Sequence, residues 1–461
     1  MPYRRRPGGC EWFGSLAQPD WRDTHIRISL RRATAPDLLT YSPSGIDGGR
    51  SWPGGAWAPL HQEATLDKFI RRTSIPAHLY FPLLERAEGS LLRPLVRPGR
   101  SVKRGDLIAV PLDESGLPLF SPVWGEVIAL ESRVVPWHAE PVDTLVIMPG
   151  KDEPQLPLAP PKGRPTSEEI RAILAQYGVL NVERLRREVS GPRVLILNGC
   201  ELEPYLTSVQ RLLEERPKEI ITGLELLLEA FQVERGILVT TTTREESITD
   251  LRDLLFTKSK LSLVVLPPRY PQDDPTLLRQ TLLPLGESSL VLDLPLAIAA
   301  TDAVVHRKAM MEKVITIGGP AVRNPQNLEV HLGALLSDLV SQCDGFSEKP
   351  GLIIMGGPMR GQAISSAEVP VTRYSTGFVF FHERAAARES ACIYCGRCIN
   401  ACPQSLYPVF ISTAVKGHDW PSLSKLHADR CLYCGTCSYV CPAHISHQRF
   451  LRRALERVRR R

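Results

Sequence analysis

Eight cysteines in two short runs are the residues of this sequence best suited to chemistry. CIYCGRCINACP at 392–403 and CLYCGTCSYVCP at 431–442 share the spacing C-x2-C-x2-C-x3-C-P. In that pattern three thiolates two residues apart wrap one face of a 4Fe-4S cubane, while the fourth points away and ligates the other cluster of a two-cluster protein. The spacing predicts one cluster on Cys392, Cys395, Cys398 and Cys441, and a second on Cys431, Cys434, Cys437 and Cys402. Gly396 and Gly435 stand between ligands, where the chain must turn tightly around sulfide and glycine does so without steric cost. Structural zinc and disulfides are the competing uses of paired cysteines. Zinc sites do not usually add a third cysteine at this spacing followed by Cys-Pro, and disulfide scaffolds are typically short and secreted. Cys10, Cys200 and Cys343 are isolated and read as inert thiols.

The 461 residues are too many for one core; at about 100 to 200 residues per domain they make three or four units. The most apolar stretch, Ser289 to Val305, is broken by Asp293, Pro295 and Asp302. That excludes a spanning helix, which needs about 20 largely uninterrupted apolar residues. The opening MPYRRRPGG has no apolar segment behind it, so a reducing cytoplasm is the expected compartment. Much of the net charge of +6 sits in QRFLRRALERVRRR, which carries seven arginines against one glutamate. Phe450, Leu451, Ala454, Leu455 and Val458 recur there at helical spacing, predicting an amphipathic basic helix. It either packs on the cysteine-bearing domain or docks on an acidic partner or anionic membrane surface. No nucleic-acid partner is expected.

Residues 1–70, rich in Gly, Pro, Trp and Arg, read as an irregular extension with a short strand at His25–Leu30. Residues 71–150 turn to short apolar runs separated by Gly and Pro, which is β-structure. Residues 151–308 form an α/β domain: a capping box at Thr166 and Glu169 opens a helix, a second helix covers Val182–Val189, and PRVLILNG is a continuous apolar run suited to a buried parallel strand. Strands and helices then alternate, as in doubly wound, Rossmann-like sheets whose ligands bind at the carboxyl ends of the strands, where CELEPYLTS lies. Residues 309–368 read as a small sheet with one helix across it, and 369–461 as the helical cysteine-bearing domain. The glycines of GGPAV and GGPMRG are each followed by Pro, which has no N–H to donate, so they read as tight turns rather than phosphate cradles. No Ser/His/Asp set, HExxH or Walker A sequence is present, and no catalytic residue is assigned.

These features together resemble the RnfC family, peripheral subunits of ion-translocating Rnf-type electron transport complexes, related to the NADH-binding flavoprotein subunit of complex I. The likeness spans residues of about 75 to 461. It is carried by Pro94–Ala129, NGCELEPYLT at 198–207, Tyr270 with Pro271 and Gln272, VITIGGPAVRNPQN at 314–327, GGPMRG at 356–361 and the two cysteine runs. It implies a lipoyl-like barrel-sandwich hybrid at 71–150 and a ligand-binding β-grasp (SLBB) module at 309–368. It also implies an electron-transfer subunit, peripheral on the inner face of the cell membrane, working between a soluble carrier and membrane subunits of an Rnf-like complex. Glu201 and Glu203 match the family's acidic pair beside the flavin and nucleotide site. A soluble, flavin-dependent cobalamin-reductase-like protein and a structural docking subunit are the alternatives.

One family feature is missing. The glycine-rich loop ending in GGAGFPT, whose amides approach flavin and nucleotide phosphates, should follow the first helix of the α/β domain. Here NVERLRREV follows AILAQYGVL, and of the glycines only Gly178 remains. The expectation is two 4Fe-4S clusters with FMN and NADH binding lost or greatly weakened, electrons entering from a ferredoxin-like or other protein donor.

Overall fold

The computed structural model describes residues 40–41, 52–150, 165–188, 191, 193–241, 244–383 and 387–459; the strand expected at His25–Leu30 falls outside them. Among the described residues, 40–41 and 57–382 form one compact unit, and 52–56 with 383 and 387–459 form another. No described helix is long and apolar enough to cross a membrane.

In the larger unit, the apolar runs before Gly150 make two antiparallel sheets. One is ordered Leu79–Pro82, Val142–Pro149, Gly125–Arg133, Ser101–Val102, and the other Leu92–Pro94, Leu107–Pro111, Leu119–Phe120. Leu79, Phe81, Val102, Ile108, Val127, Leu145 and Ile147 turn inward to a shared core. Gly99 and Gly105 take φ of 87° and 88° at the connecting turns, as a residue without a Cβ can.

The α/β layer opens on helix α1 (Ser167–Gln176), with the capping box in place. Thr166 Oγ1 accepts the Glu169 N–H at 3.3 Å, and Glu169 Oε2 accepts the Thr166 N–H at 2.7 Å. Helix α2 (Val182–Glu188) follows. Four parallel strands lie in the order Leu261–Val265, Arg235–Thr240, Val194–Gly199, Ser289–Asp293. Their runs are apolar at nearly every position because both faces are covered, and Val194, Leu195, Ile196 and Leu197 are wholly buried. The chain winds between them through α3 (Ser208–Glu215), α4 (Pro217–Phe231), α5 (Glu245–Leu255), α6 (Pro275–Leu282) and, after the last strand, α7 (Pro295–Val304). Helices α4 and α7 cross so closely that Gly223 lies on the Ala297 backbone, with no room for a Cβ. Thr40–Tyr41, from the stretch expected to be irregular, adds antiparallel to the Leu261–Val265 edge.

The third sheet is ordered Gln362–Ile364, Pro350–Met355, Gly377–His382, Glu312–Gly318, Gln326–His331, Arg71–Arg72, with α8 (Leu336–Ser341) alongside in sequence. This corrects the boundary expected at 369. Gly377–His382 runs parallel to Glu312–Gly318 and antiparallel to Pro350–Met355, and its run GFVFF is buried at every position, the mark of a central strand rather than a connector. Arg373, just before it, binds three parts of the unit together: its guanidinium lies 2.7 Å from Glu85 and donates to the carbonyls of Gly178 at 3.1 Å and Pro118 at 2.8 Å. The GGP sequences are close-approach turns: Gly319, at φ 100°, lies against the Phe380 backbone, and Gly357 against the Glu203 side chain.

The smaller unit holds short helices α9 (Arg397–Asn400), α10 (Pro408–Lys416), α11 (Trp420–Lys425), α12 (Thr436–Tyr439) and the expected basic helix α13 (His447–Arg459). Phe450, Leu451 and Ala454 of α13 enter its core beside Val409, Ile411 and Leu423. Far upstream in sequence, Trp52–Ala56 belongs to this unit too. The Gly55 N–H donates to the Ala401 carbonyl at 2.9 Å. Gly54, at φ 76°, comes so close that a Cβ there would stand 2.6 Å from the Cys402 carbonyl carbon.

Candidate metal centre

The two cysteine runs fold as matching loops. Tyr394 and Tyr433, Gly396 and Gly435, Ser405 and His444 hold corresponding places, and all six take φ between 51° and 77°. Such backbone is free for glycine and strained for tyrosine, so its recurrence marks a conformation imposed by the site. One result is that amides face sulfur. Tyr394 N–H lies 3.4 Å from Cys392 Sγ, Tyr433 N–H 3.4 Å from Cys431 Sγ, and Leu406 N–H 3.3 Å from Cys402 Sγ.

Two recesses lie between these loops. One, of about 680 Å³, is lined by Cys392, Cys395, Cys398 and Cys441 with Ile393, Tyr394, Val409 and Phe410. The other, of about 400 Å³, is lined by Cys402, Cys431, Cys434 and Cys437 with Leu406, Tyr433 and Leu451. In each, three cysteines come from one run and the fourth from the other. The first is the more open: Cys395 is exposed and Cys392 half-buried, whereas in the second only Cys431 is half-buried and the rest are buried. Burial pushes the Cys431 thiol up to about 12 and that of Cys437 well above its ordinary value. These sulfurs therefore become thiolates only against a metal that displaces their protons. His447, beside the first recess, pairs through Nδ1 with Ser412 Oγ at 2.9 Å; burial, with the Lys416 charge, lowers it to about 4 and keeps the ring neutral.

Glu201 and Glu203 lie just beyond the carboxyl end of Val194–Gly199. The Glu201 carboxylate accepts from Ser208 Oγ at 3.0 Å and from the N–H groups of Val209 at 2.9 Å and Gln210 at 3.0 Å, so it caps α3. Glu203 accepts from Met359 N–H at 2.9 Å and Tyr270 Oη at 3.2 Å. Beside it Arg360 pairs with Asp273 at 2.5 Å and lies over the Tyr270 ring. Nothing local in the sequence signals the Arg360–Asp273 pair, whose members come from different layers of the fold. Burial pushes the Glu203 carboxyl up to about 7, with Arg360 opposing and Asp273 adding to the rise. Between pH of about 4.5 and 7 the folded chain thus keeps a proton that the unfolded chain releases, and stability falls as pH rises through that window. Glu203→Gln should flatten this slope, read as the change in melting temperature between pH 5 and pH 8; a slope equal to that of the parent would refute the assignment.

Where the glycine-rich loop was sought, the chain forms α2. Asn181 Oδ1 caps it by accepting the Arg184 N–H at 2.8 Å, while Asn181 Nδ2 donates to the Ser115 carbonyl at 2.7 Å. The Glu183 N–H donates to the Glu114 carbonyl at 3.1 Å, and Arg186 pairs with the Glu114 side chain at 2.5 Å. Arg184 reaches back to donate to the Val291 carbonyl at 3.0 Å. The amides and cations of this segment are directed at the protein itself.

Comparison with known families matches residues 50–152 to the RnfC barrel sandwich hybrid domain, 180–301 to the Nuo51 FMN-binding domain and 391–445 to a 4Fe-4S dicluster domain. The RnfC component of an ion-translocating oxidoreductase complex from Rhodobacter capsulatus is 31% identical over 407 residues, covering 81% of this chain and 76% of that protein. The corresponding component of a proton-translocating ferredoxin:NAD(+) oxidoreductase complex from Clostridium ljungdahlii is 28% identical over 391 residues, covering 79% and 84%. Its Na(+)-translocating counterpart from Acetobacterium woodii is 26% identical over 395 residues, covering 80% and 88%. A multidomain α/β and β chain with a barrel-sandwich hybrid and a dicluster domain, related to these proteins along most of its length, belongs to the RnfC family of ion-translocating oxidoreductase components.

Proposed function

We propose that this chain is the iron-sulfur electron-transfer subunit of an Rnf-type complex, relaying electrons between a soluble protein carrier and membrane-bound partner subunits from the inner face of the cell membrane. The observation that carries the reading is the pair of recesses, each ringed by three cysteines of one run and the fourth of the other. Four soft sulfur donors spaced around a mostly apolar hollow suit a polynuclear iron-sulfur group. Cys392, Cys395, Cys398 and Cys441 would hold one 4Fe-4S cluster, and Cys431, Cys434, Cys437 and Cys402 the other. Such a cluster, when bound, supplies one-electron exchange; the protein's part is to fix it, exclude water and direct amides at its sulfur. The names of the Clostridium and Acetobacterium relatives include ferredoxin, which supports a ferredoxin-like donor.

In this reading the Rossmann-like layer at 151–308 and the SLBB-like sheet at 309–368 act as scaffold, and the place of Glu201 and Glu203 is a degenerate flavin and nucleotide site. Both carboxylates already accept hydrogen bonds from the protein, and α2 stands where a glycine-rich loop would offer amides to phosphate. Anaerobically purified and reconstituted protein should hold about eight irons and a similar number of sulfides, with flavin well below one per chain and no NADH-dependent dye reduction. Stoichiometric FMN with rapid NADH oxidation would restore a nucleotide-linked role for the α/β layer.

A further inference from the structure

The two recesses are related by the duplication of the cysteine run, but their side chains differ at two corresponding positions. Following Cys402 and Pro403 is Gln404; following Cys441 and Pro442 is Ala443. Between the second and third cysteines the first run has Gly396 and Arg397, the second Gly435 and Thr436. Gln404 and the Thr436 hydroxyl therefore bear on the Cys402, Cys431, Cys434 and Cys437 recess and have no counterpart of the same kind in the other. Arg397 is only half-buried, where solvent and salt screen its charge.

Both side chains are placed to donate. Gln404 lines the recess and is only 9% exposed, yet its Nε2 has no hydrogen-bond partner. A buried amide N–H left unmade costs about 1–3 kcal/mol, so native structures rarely leave one without a partner. Thr436 is fully buried, and its Oγ1 lies 3.2 Å from Cys434 Sγ. A metal-bound cysteine has no proton, so there the hydroxyl donates. Backbone donors recur at both runs through Tyr394 and Tyr433, so these two side chains make the difference between the sites.

We propose that the Gln404 carboxamide and the Thr436 hydroxyl donate hydrogen bonds to sulfur of the cluster held by Cys402, Cys431, Cys434 and Cys437, and so raise the potential at which that cluster accepts an electron. Reduction adds one negative charge to the cluster, and donors aimed at its sulfur stabilise the more negative state. The two clusters of this chain are thereby tuned separately: one by buried side-chain donors, the other by its openness to solvent. The inference rests on the cluster reading above.

The test is a potentiometric titration of reconstituted full-length protein followed by electron paramagnetic resonance, on the parent and on Gln404→Met, Thr436→Val and Thr436→Ser. One of the two reduction waves, the one altered by Cys431→Ser, should move to lower potential in Gln404→Met and Thr436→Val. At fixed potential its reduced-to-oxidised ratio should fall roughly tenfold, equivalent to ~59 mV for a one-electron couple. Thr436→Ser, which keeps the donor, should restore the parent value, and the other wave should stay in place throughout. Variants that retain full iron with neither wave moved, or with both moved alike, overturn the proposal. A parent protein that does not take up two clusters overturns instead the reading on which it rests.

Discussion

Cys402→Ala is expected to remove about half of the iron from reconstituted protein, and the half it removes should be that lost in Cys431→Ala. Sequence position argues otherwise, since Cys402 closes the run that contains Cys392, Cys395 and Cys398. The fold reverses that affiliation: Cys402 lines the recess of Cys431, Cys434 and Cys437, while Cys441 lines the recess of the first run. Each loop thus lends one ligand to its neighbour, and substituting that lent cysteine should spare the cluster of its own run. Iron and sulfide analysis with the resonance spectrum of each variant decides the matter. If Cys402→Ala abolishes the signal that survives in Cys431→Ala, the crossed ligation is wrong.

Arg373→Met should cost about 3–5 kcal/mol of stability, the usual loss when one partner of a buried pair is removed and the other charge remains. Arg373 is 2% exposed and Glu85 9%. Glu85 already has a carboxyl raised by burial, against which Arg373 is the main opposing influence. The same guanidinium satisfies the Gly178 and Pro118 carbonyls, so the substitution also orphans two acceptors. Denaturant unfolding of the variant, and of the Arg373→Met/Glu85→Gln double variant, measures both contributions, with the double variant expected to regain part of the loss. A single-variant loss under about 1 kcal/mol would place the pair among exposed ion pairs of little consequence.

Much of this architecture was legible in the sequence because its causes are local. Thr166 and Glu169 carry a reciprocal cap across a single turn, VLILNG is apolar because both faces of its strand are covered, and the cysteine spacing follows from the shape of a cubane. What stayed illegible depends on partners distant in sequence. Gly377–His382 has the composition of a strand, but nothing local says that it pairs with Glu312–Gly318 rather than leading into the next domain. Thr40–Tyr41 is too short to show a period and exists because a sheet edge is available. Glu201 and Glu203 look like a ligand pair in one dimension; their hydrogen bonds to α3, Tyr270 and Met359 are visible only once these separate segments converge. The pairing of each odd cysteine with the opposite run was readable only because the duplication repeats the same geometry twice.

The seating of Trp52–Ala56 beside Ala401 and Cys402 has a consequence for biosynthesis. The segments of the cysteine-bearing unit are separated by the whole of 57–382, and chains are synthesised at about 5–20 residues per second, so the early segment waits on the order of tens of seconds for the late one. Iron cannot be loaded into a finished site while the chain is still on the ribosome. The cysteine runs emerge last, after the sheets of the intervening unit have had time to fold, and the loop that must then close is long, though its entropic penalty grows only with the logarithm of its length. Cluster delivery is thereby timed to a released chain whose scaffold is already built, and the docking of Gly54 and Gly55 becomes the step that completes the wall behind Cys402.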